Sequence, residues 1–117
     1  TLCAQVDCLT NFTDNNVVNN LAILLEQANT AGVPVYGSEE TQVTAGCLAS
    51  VSLDYVALGR VTGQMALDVL NGADASTTAV QTITDAVPVI NTDVLASFGL
   101  TLPDSYADAT FVTTTAE

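Results

Sequence analysis

The sequence predicts an α/β chain: a mostly parallel sheet with helices on both faces. Two observations lead there. Short apolar runs alternate with longer segments whose apolar residues recur at helical spacing, in the order β-α-β-β-α-(β)-β-α. The short runs are nearly continuous in apolar character, as in strands covered on both faces.

Each element has a local reason. Residues 6–9 read as a short buried strand. A helix follows over about 15–31, where Val17, Val18, Leu21, Leu24, Leu25 and Ala28 share one face. Gly32 is its expected C-cap. Residues 33–36 form a strand, with Pro34 near its start, where a missing N–H is tolerated. Residues 37–40 are a turn, 43–46 a short helical turn and 48–53 a third strand. A second long helix spans about 55–70, with Leu58, Val61, Met65, Ala66 and Val69 on one face and Gly59 and Gly63 four apart. Gly72 ends it. Residues 73–84 are a looser Thr-rich connection, with a strand expected near 80–83. Residues 87–90 are a strand and 92–98 a short helix capped by Gly99. Beyond Pro103 the chain is polar, Thr-rich and expected to be mobile.

The composition narrows the function. The chain has 117 residues and is 49% hydrophobic, enough for a packed core and too apolar for disorder. Its longest apolar run, residues 21–25, is far too short to cross a bilayer. No charged n-region precedes an apolar h-region, so no signal peptide is expected within these residues. Thirteen acids against one Arg leave a net charge of −12. Such a surface disfavours nucleic acid and anionic lipid, which both need Lys or Arg. With no His, the chain lacks an ordinary neutral-pH acid–base catalyst and an imidazole metal ligand. No phosphate loop, zinc spacing or nucleophile elbow is present, so neither an enzyme nor a cofactor or metal site is expected. Cys3, Cys8 and Cys47 form no CxxC and read as buried free thiols. A Cys8–Cys47 disulfide would need neighbouring strands in register. Arg60, early in the second long helix, is expected to answer a nearby carboxylate.

Three polar segments follow strands: 11–16, 37–41 and 52–55. In open α/β sheets ligands bind beyond the carboxyl ends of strands, so the three can line one crevice. Asp14 or Asn15 can cap the first helix. A cap does not also need Thr10, Asn11, Thr13 and Asn16, and this excess favours a site. Glu39 and Glu40 read as a solvated turn or as partners for a ligand ammonium. An enzyme using one of them is a further reading. Asp54 is a cap for the helix at 55–70 or a site residue.

Four segments in sequence, FTDNNVV, AGVPVYGSEE, GCLASVSLDYVALGRVTGQMALDVLNG and VPVINTDVLASFGLTLPDS, carry a resemblance. In their order and spacing the chain resembles the ABC transporter substrate-binding proteins of the tryptophan/tyrosine type. The third segment is the most specific: a strand, Asp-Tyr, Leu-Gly-Arg-x-x-Gly, then a helix ending in Leu-x-Gly. The match runs over about 6–105 and corresponds to the C-terminal portion of such a protein, less than half of it.

The resemblance implies a periplasmic-binding-protein-like fold of type I, two α/β lobes with the ligand held between them. Residues 1–53 would be the later part of the second lobe. Residues 54–84 would be a hinge crossover and a helix belonging with the first lobe. Residues 85–103 would return to the second lobe, and 104–117 would be a mobile tail. The implied ligand contacts are Thr13, Asp14 and Asn15 from a Thr-Asp-Asn triplet, Ser38 and Glu39 at the next strand end, and Asp54 and Tyr55 at the crossover turn. Phe12 stands where the family has a compact residue, and Glu39 where it has Asp, and both change the pocket's size. The implied function is capture of a small amino acid-like solute for an ABC permease in the membrane. Its carboxylate would be held by helix N-termini and hydroxyls, its ammonium by acids. The implied location is extracytoplasmic, as a membrane-anchored lipoprotein or a periplasmic protein. A ligand-sensing or regulatory domain of the same fold is the alternative. An unpaired sheet edge in a partial chain would favour self-association.

Overall fold

The computed structural model describes residues 2–115. The chain is α/β, and it falls into two compact units. One holds the described residues of Thr1–Ser52 and Val87–Glu117, the other Leu53–Ala86.

The first unit contains β1 (Leu9–Thr10), α1 (Asn15–Asn19), α2 (Leu21–Thr30), β2 (Val35–Tyr36) and α3 (Glu40–Thr44). It also holds most of β3 (Ala49–Leu53) and β4 (Ala86–Asn91), then α5 (Thr92–Ser97) and β5 (Thr110–Val112); α4 (Tyr55–Leu70) belongs to the other unit. β1 pairs with β2 in parallel, Leu9 opposite Val35, and β4 pairs with β5 in parallel, Val89 opposite Thr110. β3, β4 and β5 make one hydrogen-bonded sheet in that order.

Two further bonds stitch β2 to β3. Leu48 N–H donates to the Val35 carbonyl at 2.7 Å, and Gly37 N–H to the Ala49 carbonyl at 2.9 Å. In a regular parallel pair a single residue would both donate and accept. Here Leu48 donates and Ala49 accepts, a slack of one residue that separates the two ladders.

The helix expected over 15–31 is two helices. Asn20 breaks it, with φ −117° and ψ 13°. Its side-chain Nδ2 donates to the Asn16 carbonyl at 2.8 Å, while its own N–H turns to Val17 O at 3.2 Å. An Asn amide that reaches back to the preceding turn competes with the helix ladder. α2 then buries Leu21, Leu25 and Ala28 against Val35 and Cys47, with Leu9 and Leu24 packed at the edge. Its end follows from Gly32 at φ +70°: Gly32 N–H reaches Asn29 O, and Val33 N–H reaches Ala28 O at 2.9 Å. That is a Schellman closure, which favours Gly because a Cβ is strained there.

Several expectations need correction. The first strand is Leu9–Thr10 and starts later than residue 6. The helical turn expected at 43–46 begins at Glu40, because Glu39 caps it. Residues 80–83 are not a strand. Part of the stretch expected as a tail is regular: Thr110–Val112 is β5, and Thr114 N–H donates to Asp93 Oδ2 at 3.0 Å. Residues 116–117 of that stretch lie outside the described residues. Of the three thiols, all free, only Cys47 is buried; Cys3 is half-buried and Cys8 exposed, because the strand expected to cover Cys8 begins after it.

Asn91 joins the elements behind the sheet. It is fully buried, caps α5 by accepting from Asp93 N–H and Val94 N–H, and donates to Val43 O at 2.8 Å and Thr114 Oγ1 at 3.0 Å. A buried amide is tolerated when both ends are satisfied.

The second unit is α4 (Tyr55–Leu70) and the connection after it. The helix has the bounds that its apolar spacing predicts. None of its residues is buried: Val56 is 66% exposed, Leu67 49% and Leu70 84%. Apart from the chain neighbours and the helix's own backbone, no atom lies within 4 Å of where a Cβ would sit at Gly59 or Gly63. Arg60 is exposed and forms no ion pair among the described residues, contrary to expectation. Beyond the helix, Asp74 organises the connection by accepting from the Ser76 N–H and hydroxyl at 2.8 and 2.7 Å. Those bonds hold its carboxyl below the usual value.

Candidate functional site

Because β1 and β2 are parallel and in register, the loops that follow them leave the sheet at the same end. The first runs from Asn11 through Asp14 into α1. The second runs from Gly37 through Glu39 into α3. The loops touch: the hydroxyls of Thr13 and Ser38 share a hydrogen bond of 2.8 Å. Two of the sequence-predicted site residues, one from each loop, are therefore brought together.

The predicted acids all cap helices. Asp14, in extended conformation, accepts at Oδ1 from Asn16 N–H at 2.8 Å and Val17 N–H at 3.4 Å. Glu39 accepts from Thr41 N–H and Gln42 N–H, both at 3.2 Å, and from the Thr41 hydroxyl. Both of its oxygens are thus engaged, whereas Asp14 uses one. In the second unit, Asp54 Oδ1 accepts from Val56 and Ala57 N–H at 2.9 Å each, directly before the exposed Tyr55. Asn15 is exposed and opens α1.

These caps change the electrostatics. A helix N-terminus attracts an anion through N–H groups that lack partners. At α1 and α3 two of these groups are already taken by a carboxylate of the chain itself. The loops therefore present negative charge beside hydroxyls, a surface suited to a ligand ammonium and to neutral hydrogen bonding.

Two side chains at the loops are buried: Asn11, flagged in the sequence without its burial, and Gln42, which the sequence did not flag. Gln42 is 1% exposed and Asn11 8%. Gln42 Oε1 accepts from Ser38 N–H at 3.1 Å and its Nε2 donates to Phe12 O at 3.4 Å. Asn11 Nδ2 donates to Cys47 Sγ at 3.8 Å. Burial pushes the Cys47 thiol up to about 11, with the Asn11 bond opposing and the charge of Glu39 assisting. Periodicity could not flag Gln42, because α3 is too short to define a face. Phe12 is 78% exposed and fills no part of the core.

Two concavities lie elsewhere in the first unit. One, of about 520 Å³, is lined by residues including Tyr36, Leu48, Val51, Ile90, Leu95 and Tyr106. Another, of about 770 Å³, lies along α1, α2 and α3. None of the sequence-predicted site residues lines either.

Comparison with known proteins gives a consistent answer. A family model described as ABC transporter substrate binding protein matches residues 1–113. A tyrosine-binding protein of Clostridioides difficile is 33% identical over 99 residues, which is 85% of this chain and 29% of that protein. Among solved structures, the ligand-free, open form of a substrate binding protein with adhesive properties from Clostridium difficile has a TM-score of 0.81 and 32% identity. It is matched over 97% of this chain and 38% of its own length. An ABC domain from Streptococcus pneumonia in complex with L-Trp has a TM-score of 0.83 and 28% identity, over 95% of this chain and 38% of its own. The chain thus spans about 29% of the curated relative and about 38% of each of these structures. Matched over nearly all of its length in sequence and in backbone, the chain belongs to the ABC transporter substrate binding protein family.

Proposed function

We propose that the chain is part of the solute-binding component of an ABC import system that captures a small amino acid-like ligand between two lobes. The carrying observation is the meeting of Thr13 and Ser38 at the carboxyl ends of adjacent parallel strands, with Asp14 and Glu39 beside them. Family membership and the relatives that bind tyrosine and L-Trp support the ligand class.

On this reading the site residues are Thr13, Asp14, Asn15, Ser38, Glu39, Asp54 and Tyr55. The first five belong to the second lobe. Residues 54–84 cross to the first lobe, where the uncovered apolar face of α4 is buried. Asp14 keeps one carboxylate oxygen for the ligand ammonium. The Thr13 and Ser38 hydroxyls take the ligand's polar groups, and Phe12 offers a ring for stacking. The chemistry is non-covalent: a ligand touching both lobes stabilises the closed form by its differential affinity for the two states. The closed protein then docks on a membrane permease from an extracytoplasmic position, as a lipoprotein or a free periplasmic protein.

The test is calorimetry on the full-length protein with L-tyrosine, L-tryptophan, sugars and nucleosides. Binding of an amino acid alone, weakened by about 1.5–3 kcal/mol in Asp14→Ala, is the expected result for a lost charged hydrogen bond. Binding that is unchanged in Asp14→Ala reduces Asp14 to a helix cap. Binding of a sugar or nucleoside instead of an amino acid overturns the ligand class.

A further inference from the structure

We infer that Gln42 is the positioning residue of the candidate site, coupling its two loops through one buried side chain. This rests on the ligand-binding reading of Thr13 and Ser38 given above, and names the group that sets their spacing.

The geometry is specific to a carboxamide. Gln42 is 1% exposed and sits in α3 beneath both loops. Its Oε1 accepts from Ser38 N–H at 3.1 Å, which fixes the backbone of the second loop. Its Nε2 donates to Phe12 O at 3.4 Å, which fixes the first. The same Phe12 carbonyl accepts from Asp14 N–H at 3.0 Å, so the bond reaches the residue that caps α1. Acceptor and donor are needed together, one for each loop, and the Gln carboxamide carries both without a charge. Thr13 follows the Phe12 anchor and Ser38 is the other anchor, so the hydroxyl pair joins residues at both.

Gly37 makes room for the arrangement. A Cβ there would sit 3.0 Å from Gln42 Cβ and 3.2 Å from its Oε1. Contacts that short force Gln42 to move, so the glycine at the strand end serves the amide beneath it. A site held by a buried, satisfied side chain needs less ordering when ligand arrives, which is how preorganisation raises affinity.

Three variants of the full-length protein separate coupling from simple filling of space. Gln42→Met keeps the volume and loses both bonds. Gln42→Glu, read at a pH where the carboxylate is ionised, keeps the acceptor for Ser38 and loses the donor to Phe12. Gly37→Ala pushes on an intact Gln42. Each is followed by calorimetry with L-tyrosine and L-tryptophan, by melting temperature, and by amide hydrogen exchange without ligand. In Gln42→Met, faster exchange at both Asp14 and Ser38 is expected. In Gln42→Glu only Asp14 is expected to quicken. Gly37→Ala is expected to quicken both. In every variant affinity is expected to fall roughly tenfold or more, the scale set by leaving a buried polar group unpaired.

Full affinity in Gln42→Met, or native exchange at Asp14 and Ser38 in the variants, overturns the coupling and leaves Gln42 a space-filler. If the native protein binds neither amino acid, the ligand reading fails instead. The exchange pattern of Gln42→Glu against Gln42→Met then decides the coupling by itself.

Discussion

α2 and α4 are both rich in apolar residues, and they meet opposite fates. α2 lies against β2 and Cys47, and three of its ten residues are buried. α4 is longer, at 16 residues, and buries none. The difference is one of partners. The first unit supplies a sheet and other helices. The second unit consists of α4 and an irregular connection, and a single helix cannot cover its own apolar face. Isolated helices of that length are marginal in water, since most helical stability comes from tertiary packing. The comparison teaches that an apolar stripe states a demand for burial without naming the surface that meets it.

The largest expected effect tests that contrast directly. Leu25→Ala removes a side chain 7% exposed in the core and is expected to cost about 2–5 kcal/mol, read as a lower urea midpoint. Leu67→Ala, at 49% exposure, is expected to stay within about 0.5 kcal/mol in this chain. Equal losses would show that α4 is packed after all.

Cys47 sharpens the contrast between a covered core and an open helix. Its folded pKa is raised from 9.0 to about 11, so burial favours the neutral thiol. The associated stability is fully present below pH 9 and is lost as pH rises through about 11. A decline on the order of 2 kcal/mol between those values is expected, and Cys47→Ala should flatten it. Iodoacetamide at pH 8 is expected to modify exposed Cys8 well before Cys47.

Helix caps give a smaller, matched pair. Asp14→Ala and Asp54→Ala each remove a side chain that accepts from two backbone N–H groups, and each is expected to cost about 1 kcal/mol of local stability. The circular dichroism loss should be greater for Asp54→Ala, because its helix is three times as long and has no tertiary support in its own unit. Equal losses would argue against that account.

Glycines give the smallest effects, and their signs differ. Gly59 lies inside α4 with open space around it, so Gly59→Ala is expected to stabilise this chain by about 0.5–1 kcal/mol. Gly32→Ala, at φ +70°, is expected to destabilise by about 1 kcal/mol, because Ala is strained there. If α4 meets a first lobe through Gly59 and Gly63, Gly59→Leu is harmless in this chain and damaging in the full-length protein, as read by melting temperature.

Much of this molecule was written in local chemistry. Residues 55–70 carry an Asp before the helix, apolar spacing within it and Gly after it, and the helix has those bounds. Thr13 could be nominated because a polar cluster follows a strand, and Ser38 through the family resemblance. Other features needed the fold. Asn20 has ordinary helix-compatible neighbours, and only its side-chain bond to Asn16 O shows why the long helix breaks. β5 is three residues of Thr-Phe-Val whose place depends on the exposed edge of β4. Gln42 looks like any surface Gln until α3 is seated beneath two loops.

The sequence by itself determined the α/β class, the helix at 55–70 and the glycine ends of the helices, the absence of His chemistry and the acidic surface. Those follow from side-chain type and short-range spacing, which act within a few residues. The tertiary structure alone decided which apolar faces are covered, which acids spend their oxygens on helix caps, and which residues 25 or 30 positions apart share a hydrogen bond. Such pairings depend on how strands register and loops close. No local pattern encodes them, because each bond depends on the position of every element between its two ends.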